Sequence, residues 1–563
     1  MTFYIQQFGC RATQADGAAL ERQLLDRGCT SVSDPSAASI VVLNTCTVTA
    51  AADAQARDAI RKIHAQNPDA RLIVTGCYAQ RAPEELAALP GVSHVVGNSH
   101  KPQIPNLITQ IAPPSLTRAI EKGTVIPGEA RTSAPPSVLC EENLRFPPAS
   151  LDVPFHSLVG ARHAVPALGN ISNPQASSHP APILTGDIFA HPEFLSAPIQ
   201  GGESHHTRPI LKIQDGCNNR CSFCVIPYVR GKSRSLPPNE VIREIQKLVA
   251  QPILAVHSPA REIPVAQALL PVPVCSFTSS TSSTSFTSAR EIVLSGINLG
   301  TYGRDLTPRV ELLELIRRIL DETQLDRLRI SSIEPQDVTQ DLIDLFASTR
   351  RIAQHFHMPL QSASDRILAA MHRWYRSEHY ARRVELIHDR LPNAALGADV
   401  IAGFPGETES DHATTLAFIG RLPFTYLHVF SYSPRPGTKA AIAPNQVPVQ
   451  IIKRRARELR ALAEAKSAAF RKSQQGRTLR VLTLHGDERS INDRAGAAYT
   501  PALSSNYLRV QVPGIFPLNR WQDVVVKSEE RNYLLGEPAS TPCESSVNSV
   551  FGVYPDRVGA SSV

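Results

Sequence analysis

Twice along this chain short apolar runs alternate with amphipathic ones, and that alternation limits the fold more than any other feature. In the first hundred residues TFYIQQFGC, ASIVVLNTC and ARLIVTGC read as strands. DGAALERQLLDRG, ADAQARDAIRKIHAQN and EELAAL read as helices, the first stopping at Gly28 and the second before Pro68. An apolar strand without in-out alternation belongs to a parallel sheet covered on both faces. Strands alternating with helices predict an α/β fold with a doubly wound parallel sheet. The pattern resumes at LKIQDG and runs through PNEVIREIQKLVA, REIVLSGI, VELLELIRRIL, LRISSIE, LIDLFAST, HFHMPLQ, YARRVELIHDRL, ALGADVIAG, TTLAFIGRL and YLHVFSYS. These units predict a β/α barrel, complete or partial.

Boundaries follow from where the pattern fails. Residues 1–110 form the first domain, and 111–184, rich in Pro, Ser, Ala and His, read as a disordered insertion or linker in which Cys140 is incidental. The barrel covers 206–440, broken at 251–289 by a second low-complexity run ending in SFTSSTSSTSFTS. That run either loops out, since loop-closure entropy grows slowly with length, or is foreign to the natural chain. A basic helix at 449–475 leads to short alternating strands at 476–540, read as a small antiparallel barrel, and then to a loose tail at 541–563.

At 563 residues the chain has room for three or four domains. It has no run of about 20 apolar residues, hence no expected membrane span. MTFYIQQFGC lacks the basic flank and apolar core of a signal peptide, so the expected location is the cytoplasm. Ten cysteines are too few for a disulfide scaffold of this size, and in a reducing compartment clustered cysteines point to metal or redox chemistry. The net charge of +7 is a mild argument for a polyanionic partner.

GCNNRCSFC sets Cys217, Cys221 and Cys224 in one loop directly after a strand. Structural zinc takes four ligands, and so does a [4Fe-4S] cluster that only carries electrons. Three thiolates leave a position open. Independently, Cys10, Cys46 and Cys77 each follow a strand of the first domain. Ligands of open parallel sheets bind beyond the strands' carboxyl ends, where three such thiols can converge. The alternative is three small buried residues that help strands pack. Cys29, at a helix end, falls outside this set.

Cys217-x3-Cys221-x2-Cys224, with Phe223 before the last cysteine, resembles the radical S-adenosylmethionine (SAM) signature. That resemblance implies a [4Fe-4S] cluster whose open iron is chelated by SAM, with Phe223 beside the adenine, and reductive release of a 5′-deoxyadenosyl radical. TGCYAQ and VVGNSHK, then LSGINLGTYGRD, SSIEPQD, HMPLQSASDRILAAMHRWY, ADVIAGFPGETESD and VFSYSPRPGTKAA, are similar in order to the methylthiotransferases, and the last strands resemble their RNA-binding TRAM domain. The family resemblance implies a second [4Fe-4S] cluster on Cys10, Cys46 and Cys77, two uses of SAM, an electron donor such as flavodoxin or ferredoxin, and transfer of CH3-S to C2 of an adenosine. VVGNSHK, HVFSYSPRPGTKAA and FGCR are most similar to the branch acting on N6-threonylcarbamoyladenosine at position 37 of tRNA. The branch acting on N6-isopentenyladenosine comes next, and a non-catalytic RNA-binding protein with a degenerate barrel is the alternative outside catalysis. Ala363 stands in QSAS where the family has glycine.

Gly296, Asn298, Glu334, Gln361 and Asp399 lie at or near barrel strand ends, where barrel chemistry collects, and are candidates for binding SAM or for closing loops. GFPGE could cradle part of the cofactor, or simply turn the chain. Arg230, Lys232 and Arg234 are candidates for tRNA phosphates, and the basic helix for following the RNA backbone or bridging domains. His355 and His357 read as structural.

Overall fold

The computed structural model describes residues 1–111, 180–191, 193–201, 206–250, 288–485 and 498–539. Most of both low-complexity runs, Cys140 and the tail lie outside the described residues.

The N-terminal sheet is wholly parallel. Its strands β1 (Thr2–Gln7), β2 (Thr30–Ser31), β3 (Ile40–Thr45), β4 (Arg71–Gly76), β5 (Val92–Gly97) and β6 (Ile183–Leu184) lie in the order β2-β1-β3-β4-β5-β6. Residues 183–184, which the sequence reading gave to the insertion, are therefore an edge strand paired with Val95 and Val96. All six residues of β3 are buried, as its unbroken apolar run requires. Val41, Leu43, Leu72, Val74 and Val95 fill the core beneath the helices, each worth about 1.5–3 kcal/mol of burial. Helix α1 (Arg11–Leu25) follows β1, and α2 (Ala50–Gln66) follows β3, its first turn capped by the Thr49 hydroxyl accepting from Ala52 N–H. The helices α3 (Cys77–Arg81), α4 (Pro83–Ala87) and α5 (Ile104–Ile111) complete the layer. The strand order reverses between β1 and β3, which opens a crevice above their carboxyl ends.

A short β7 (Ile199–Gly201) pairs antiparallel with β8 (His206–Lys212), and β9 (Gln214–Asp215) pairs with β10 (Arg234–Ser235). The barrel strands are β8, β11 (Glu291–Ser295), β12 (Arg327–Ile330), β13 (His355–His357), β14 (Ala395–Ala402) and β15 (Tyr426–Ser431). Neighbours run parallel, with β12 and β13 joined only by the bridges Leu328–Ile352 and Ser332–His357. β15 makes no ladder with β8, so the barrel is partial. The strand expected over HFHMPLQ stops at His357; Pro359 lacks a ladder N–H, and Gln361 turns the chain at φ 64°. Ala363 is not in the left-handed region, so its Cβ costs no backbone strain there.

Alternation along these strands separates two environments. Ile292, Leu294, Leu328, Ile330, Phe356, Ala398 and Val400 pack outward under the surrounding helices. Their alternates Glu291, Val293, Arg327, Arg329, His355, His357, Asp399, Tyr426 and His428 face inward.

The helix Val449–Lys472 braces the barrel with Ile452, Ala456 and Leu459. Its buried cations are spent inside the protein: Arg455 pairs with Glu407 at 2.8 Å and Arg471 with Glu529 at 3.0 Å. The bridging reading therefore fits it better than an RNA track. Strands β16 (Thr478–Thr483), β17 (Tyr499–Ser504), β18 (Arg509–Pro513), β19 (Trp521–Glu529) and β20 (Leu534–Pro538) close a five-stranded barrel. One pair, β18–β20, is parallel, a departure from the antiparallel expectation. This small barrel plugs the strand-start end of the large one. Arg327 and Arg329 donate to the Leu503 and Ser504 carbonyls at 3.1 and 3.0 Å, and Tyr507 stacks on His355 at 4.5 Å.

Candidate active site

Three adjacent strand ends bring three thiols together. Cys10 follows β1 and precedes α1, Cys46 follows β3, and Cys77 opens α3 after β4. Cys46 and Cys77 are buried, and Cys10 is open to solvent. Gly9, at φ 89°, lets the first turn pass Cys46: a Cβ there would lie 2.3 Å from Cys46 Cβ. Burial, then the neighbouring charges of Cys77 and Cys10, push the Cys46 thiol up to about 12. Three thiolates crowd this spot at high electrostatic cost unless a cationic centre sits among them, and the set fits an iron-sulfur cluster in donor chemistry. All seven described cysteines are free of disulfides.

The second triad is local. Gly216, at φ 70°, turns the chain so closely over Lys232 that a Cβ would meet its carbonyl oxygen at 2.0 Å. Cys217 N–H donates to Gly231 O, and Cys224 N–H to Cys221 O, each at 3.1 Å. Burial, then Cys221, pushes the Cys224 thiol up to about 12. The Cys217 sulfur accepts from Asn219 N–H at 3.4 Å and the Cys221 sulfur from Arg373 at 3.4 Å. Asn298 reaches the Cys217 sulfur at 4.0 Å, and its buried Oδ1 has no partner among the described residues. Beside it Gly296 packs so tightly on Gln214 that a Cβ would lie 3.0 Å from Oε1. Glu334 is largely shielded from solvent, which raises its carboxyl, while Arg373 at 2.6 Å resists the shift. Phe223 meets Phe404 edge-on at 6.3 Å.

Gly296, Asn298 and Glu334 thus gather beside the cysteine loop, and Gln361 turns over β14, its N–H on Asp399 O at 2.7 Å. Asp399 differs from the expectation: it lies mid-strand, and its carboxylate sits 3.2 Å from His357 Nε2. Ligand atoms of His357, Asp399 and His428 all lie within 4.8 Å of one another. The GFPGE turn is fastened to structure rather than left open, with Gly403 N–H donating to Glu407 at 2.7 Å.

Arg230 corrects the sequence reading. It is 2% exposed and pairs with Asp16 at 3.0 Å and Asp215 at 2.9 Å, so its charge cannot meet a phosphate. Arg234 is spent on the His191 and Arg230 carbonyls at 2.8 and 3.0 Å, which leaves Lys232 as the exposed cation of the three. Burial opposes the Asp16 charge, but Arg230, Lys101 and Lys212 outweigh it and hold the carboxyl down to about 2.

Sequence reasoning missed Arg373, Gln214, Asn98 and Arg435. Each sits in a quoted motif or beside one, but its role depends on distant partners. Asn98 donates to Val229 O at 2.7 Å and to the Cys77 sulfur at 3.5 Å. Arg435 reaches Thr47, next to Cys46, at 2.7 Å. Cys77 shares one buried cluster with Val229 and with Val225, the residue after Cys224, so the strand-end thiols border the segment that follows the cysteine loop.

A parallel-sheet domain whose strand-end thiols face a three-cysteine barrel loop defines a radical SAM protein of two joined modules. Family models agree: residues 2–97 match the uncharacterized protein family UPF0004, and residues 211–258 and 287–419 match the radical SAM superfamily. The threonylcarbamoyladenosine tRNA methylthiotransferase MtaB of Aquifex aeolicus is 31% identical over 86% of this chain and 93% of its own length. MtaB of Bacillus subtilis is 29% identical over 91% and 90%. The tRNA-2-methylthio-N(6)-dimethylallyladenosine synthase of Moorella thermoacetica is 28% identical over 85% and 86%. The chain belongs to the radical SAM tRNA methylthiotransferases. No helix among the described residues is long and apolar enough to cross a membrane.

Proposed function

We propose that this chain places a methylthio group on C2 of N6-threonylcarbamoyladenosine at position 37 of tRNA, giving 2-methylthio-N6-threonylcarbamoyladenosine. The observation that carries the reading is the buried cluster of Cys77, Val225 and Val229, which brings the strand-end thiols to the segment that follows the second thiol triad. Cys10, Cys46 and Cys77 would hold one [4Fe-4S] cluster, and Cys217, Cys221 and Cys224 the other. When bound, the clusters and SAM supply the sulfur transfer and the one-electron cleavage that side chains cannot.

The protein's own residues bind, orient and exclude water. Arg373 holds Cys221 and Glu334 in fixed relation, so the loop and the β12 end move as one. Asn298 and Glu334 are the polar groups placed to receive SAM beside the cysteine loop, with Phe223 for its adenine and Gly296 and Gln361 shaping the turns. Arg230 and Arg435 clamp the N-terminal domain to the barrel, which fixes the distance between triads. Lys232 and the Arg-lined cleft of about 940 Å³ at the small barrel, with Arg350, Arg477, Arg480 and Trp521, are surfaces for RNA. The electron comes from a carrier such as flavodoxin or ferredoxin, and the setting is cytoplasmic.

Mass spectrometry of tRNA nucleosides from cells lacking the gene tests this. Threonylcarbamoyladenosine should accumulate without its 2-methylthio form. Loss of 2-methylthio-isopentenyladenosine instead, a change that the relatives of that branch make worth measuring, would reassign the substrate. A nucleoside profile without any change would favour the non-catalytic reading, against which all six expected thiols stand.

A further inference from the structure

The inner face of the barrel carries a polar group that the cysteine chemistry leaves unused. His357, Asp399 and His428 meet there, with His355 and Tyr426 one layer below. Ser332 Oγ lies 2.7 Å from His357 Nδ1, while the buried Nε2 sits 3.2 Å from the Asp399 carboxylate without an aligned hydrogen bond. A hydrocarbon side chain placed here would strip water from these groups and return no hydrogen bond.

A cation of the N-terminal domain faces the same interior. Arg11 opens α1, one turn before Ala15 on the same helix face. Ala15 shares a buried cluster with Ile210 of β8 and Val293 of β11, and Val293 faces inward as the alternate of the outward Ile292 and Leu294. Arg11 therefore lies on the helix face turned toward the interior, and its charge bears on His355, His428 and Tyr426. It is half-buried and makes no ion pair or side-chain hydrogen bond among the described residues. Other arginines around the interior are spent: Arg327 and Arg329 on Glu291, Arg373 on Glu334, Arg230 on Asp16 and Asp215.

We propose that Arg11 receives the carboxylate of the substrate's threonylcarbamoyl group inside the barrel, and that His357, Asp399 and His428 line the rest of that side chain. The proposal rests on the substrate reading above. It explains selectivity chemically: the threonylcarbamoyl group carries an anion, a hydroxyl and ureido N–H donors, and the isopentenyl group carries none of these. Asp399, held at 3.2 Å from His357, is an acceptor for a hydroxyl or N–H of the same side chain.

The test uses reconstituted protein and two anticodon stem-loop RNAs, one with threonylcarbamoyladenosine and one with its carboxyl methyl ester. For the wild type, KM should be about ten- to a hundredfold higher for the ester, the weight of a charge-assisted hydrogen bond. R11Q should raise KM for the acid by a similar factor, leave KM for the ester within about twofold, and change kcat on both far less. R11K, which keeps the charge, should restore part of the preference. Equal KM values for acid and ester in the wild type, or an unchanged acid-to-ester ratio in R11Q, would overturn the assignment. So would loss of iron in both variants, which would make Arg11 a support for the Cys10 turn. If the wild type modifies neither RNA but does modify a stem-loop carrying isopentenyladenosine, the substrate reading itself has failed.

Discussion

The two thiol triads are built in opposite ways. Cys217, Cys221 and Cys224 lie within eight positions of one loop, and local hydrogen bonds shape it. Cys10, Cys46 and Cys77 come from three strands and meet only because the sheet order places β1, β3 and β4 side by side. The first site is a property of a segment and the second a property of a fold. One consequence is that damage far from the thiols should reach the second site and spare the first.

Cysteine variants break the comparison most strongly. Cys221→Ala should abolish SAM cleavage, read as 5′-deoxyadenosine, and with it all methylthio product. Cys46→Ala should abolish the product while leaving 5′-deoxyadenosine formation in place, because the barrel loop does not depend on the crevice. Equal loss of SAM cleavage in both variants would show that the sites are not separable.

The joint comes next. Arg230→Met removes one partner each from buried Asp16 and Asp215, which keep Lys101, Lys212 and Arg234, a change expected to cost about 1–3 kcal/mol. Thermal unfolding should start earlier, and the iron lost first should be that of the N-terminal triad. Acid sharpens the same point through Asp16. Its carboxyl is lowered from 3.8 to about 2 in the folded chain, so its contribution is present above the unfolded value and is lost as pH falls through that interval. Unfolding monitored down to pH 2 should show the loss for the wild type, and a shallower dependence in Asp16→Asn, which is less stable at neutral pH. The smallest effect belongs to Lys232→Ala: stability should shift by no more than about 0.5 kcal/mol, and the salt slope of RNA affinity should fall by about one if the ammonium meets a phosphate.

The same contrast shows what the sequence could and could not reveal. Chain-local features were legible: the strand-helix alternation, the cysteine loop, and each thiol at the end of a strand. Pairwise features across the chain were not. Arg230 looks like a surface cation beside Lys232, and its pairing with Asp16 of another domain, beside Asp215 of its own, does not show in the segment alone. His357, Asp399 and His428 belong to three strands, and their meeting follows from registers such as Asp399 opposite His428, which a single strand does not encode. Strand β6 escaped because two residues carry no periodicity and a long run precedes them. The parallel β18–β20 pair escaped because alternation gives a strand's face but not its direction.

Iron and acid-labile sulfide counted in anaerobically reconstituted wild type, Cys46→Ala and Cys221→Ala test the central claim most directly. Two independent three-thiol sites give about eight irons per chain for the wild type and about four for each variant. Loss of all iron from either single variant, or retention of all of it in both, would contradict the account.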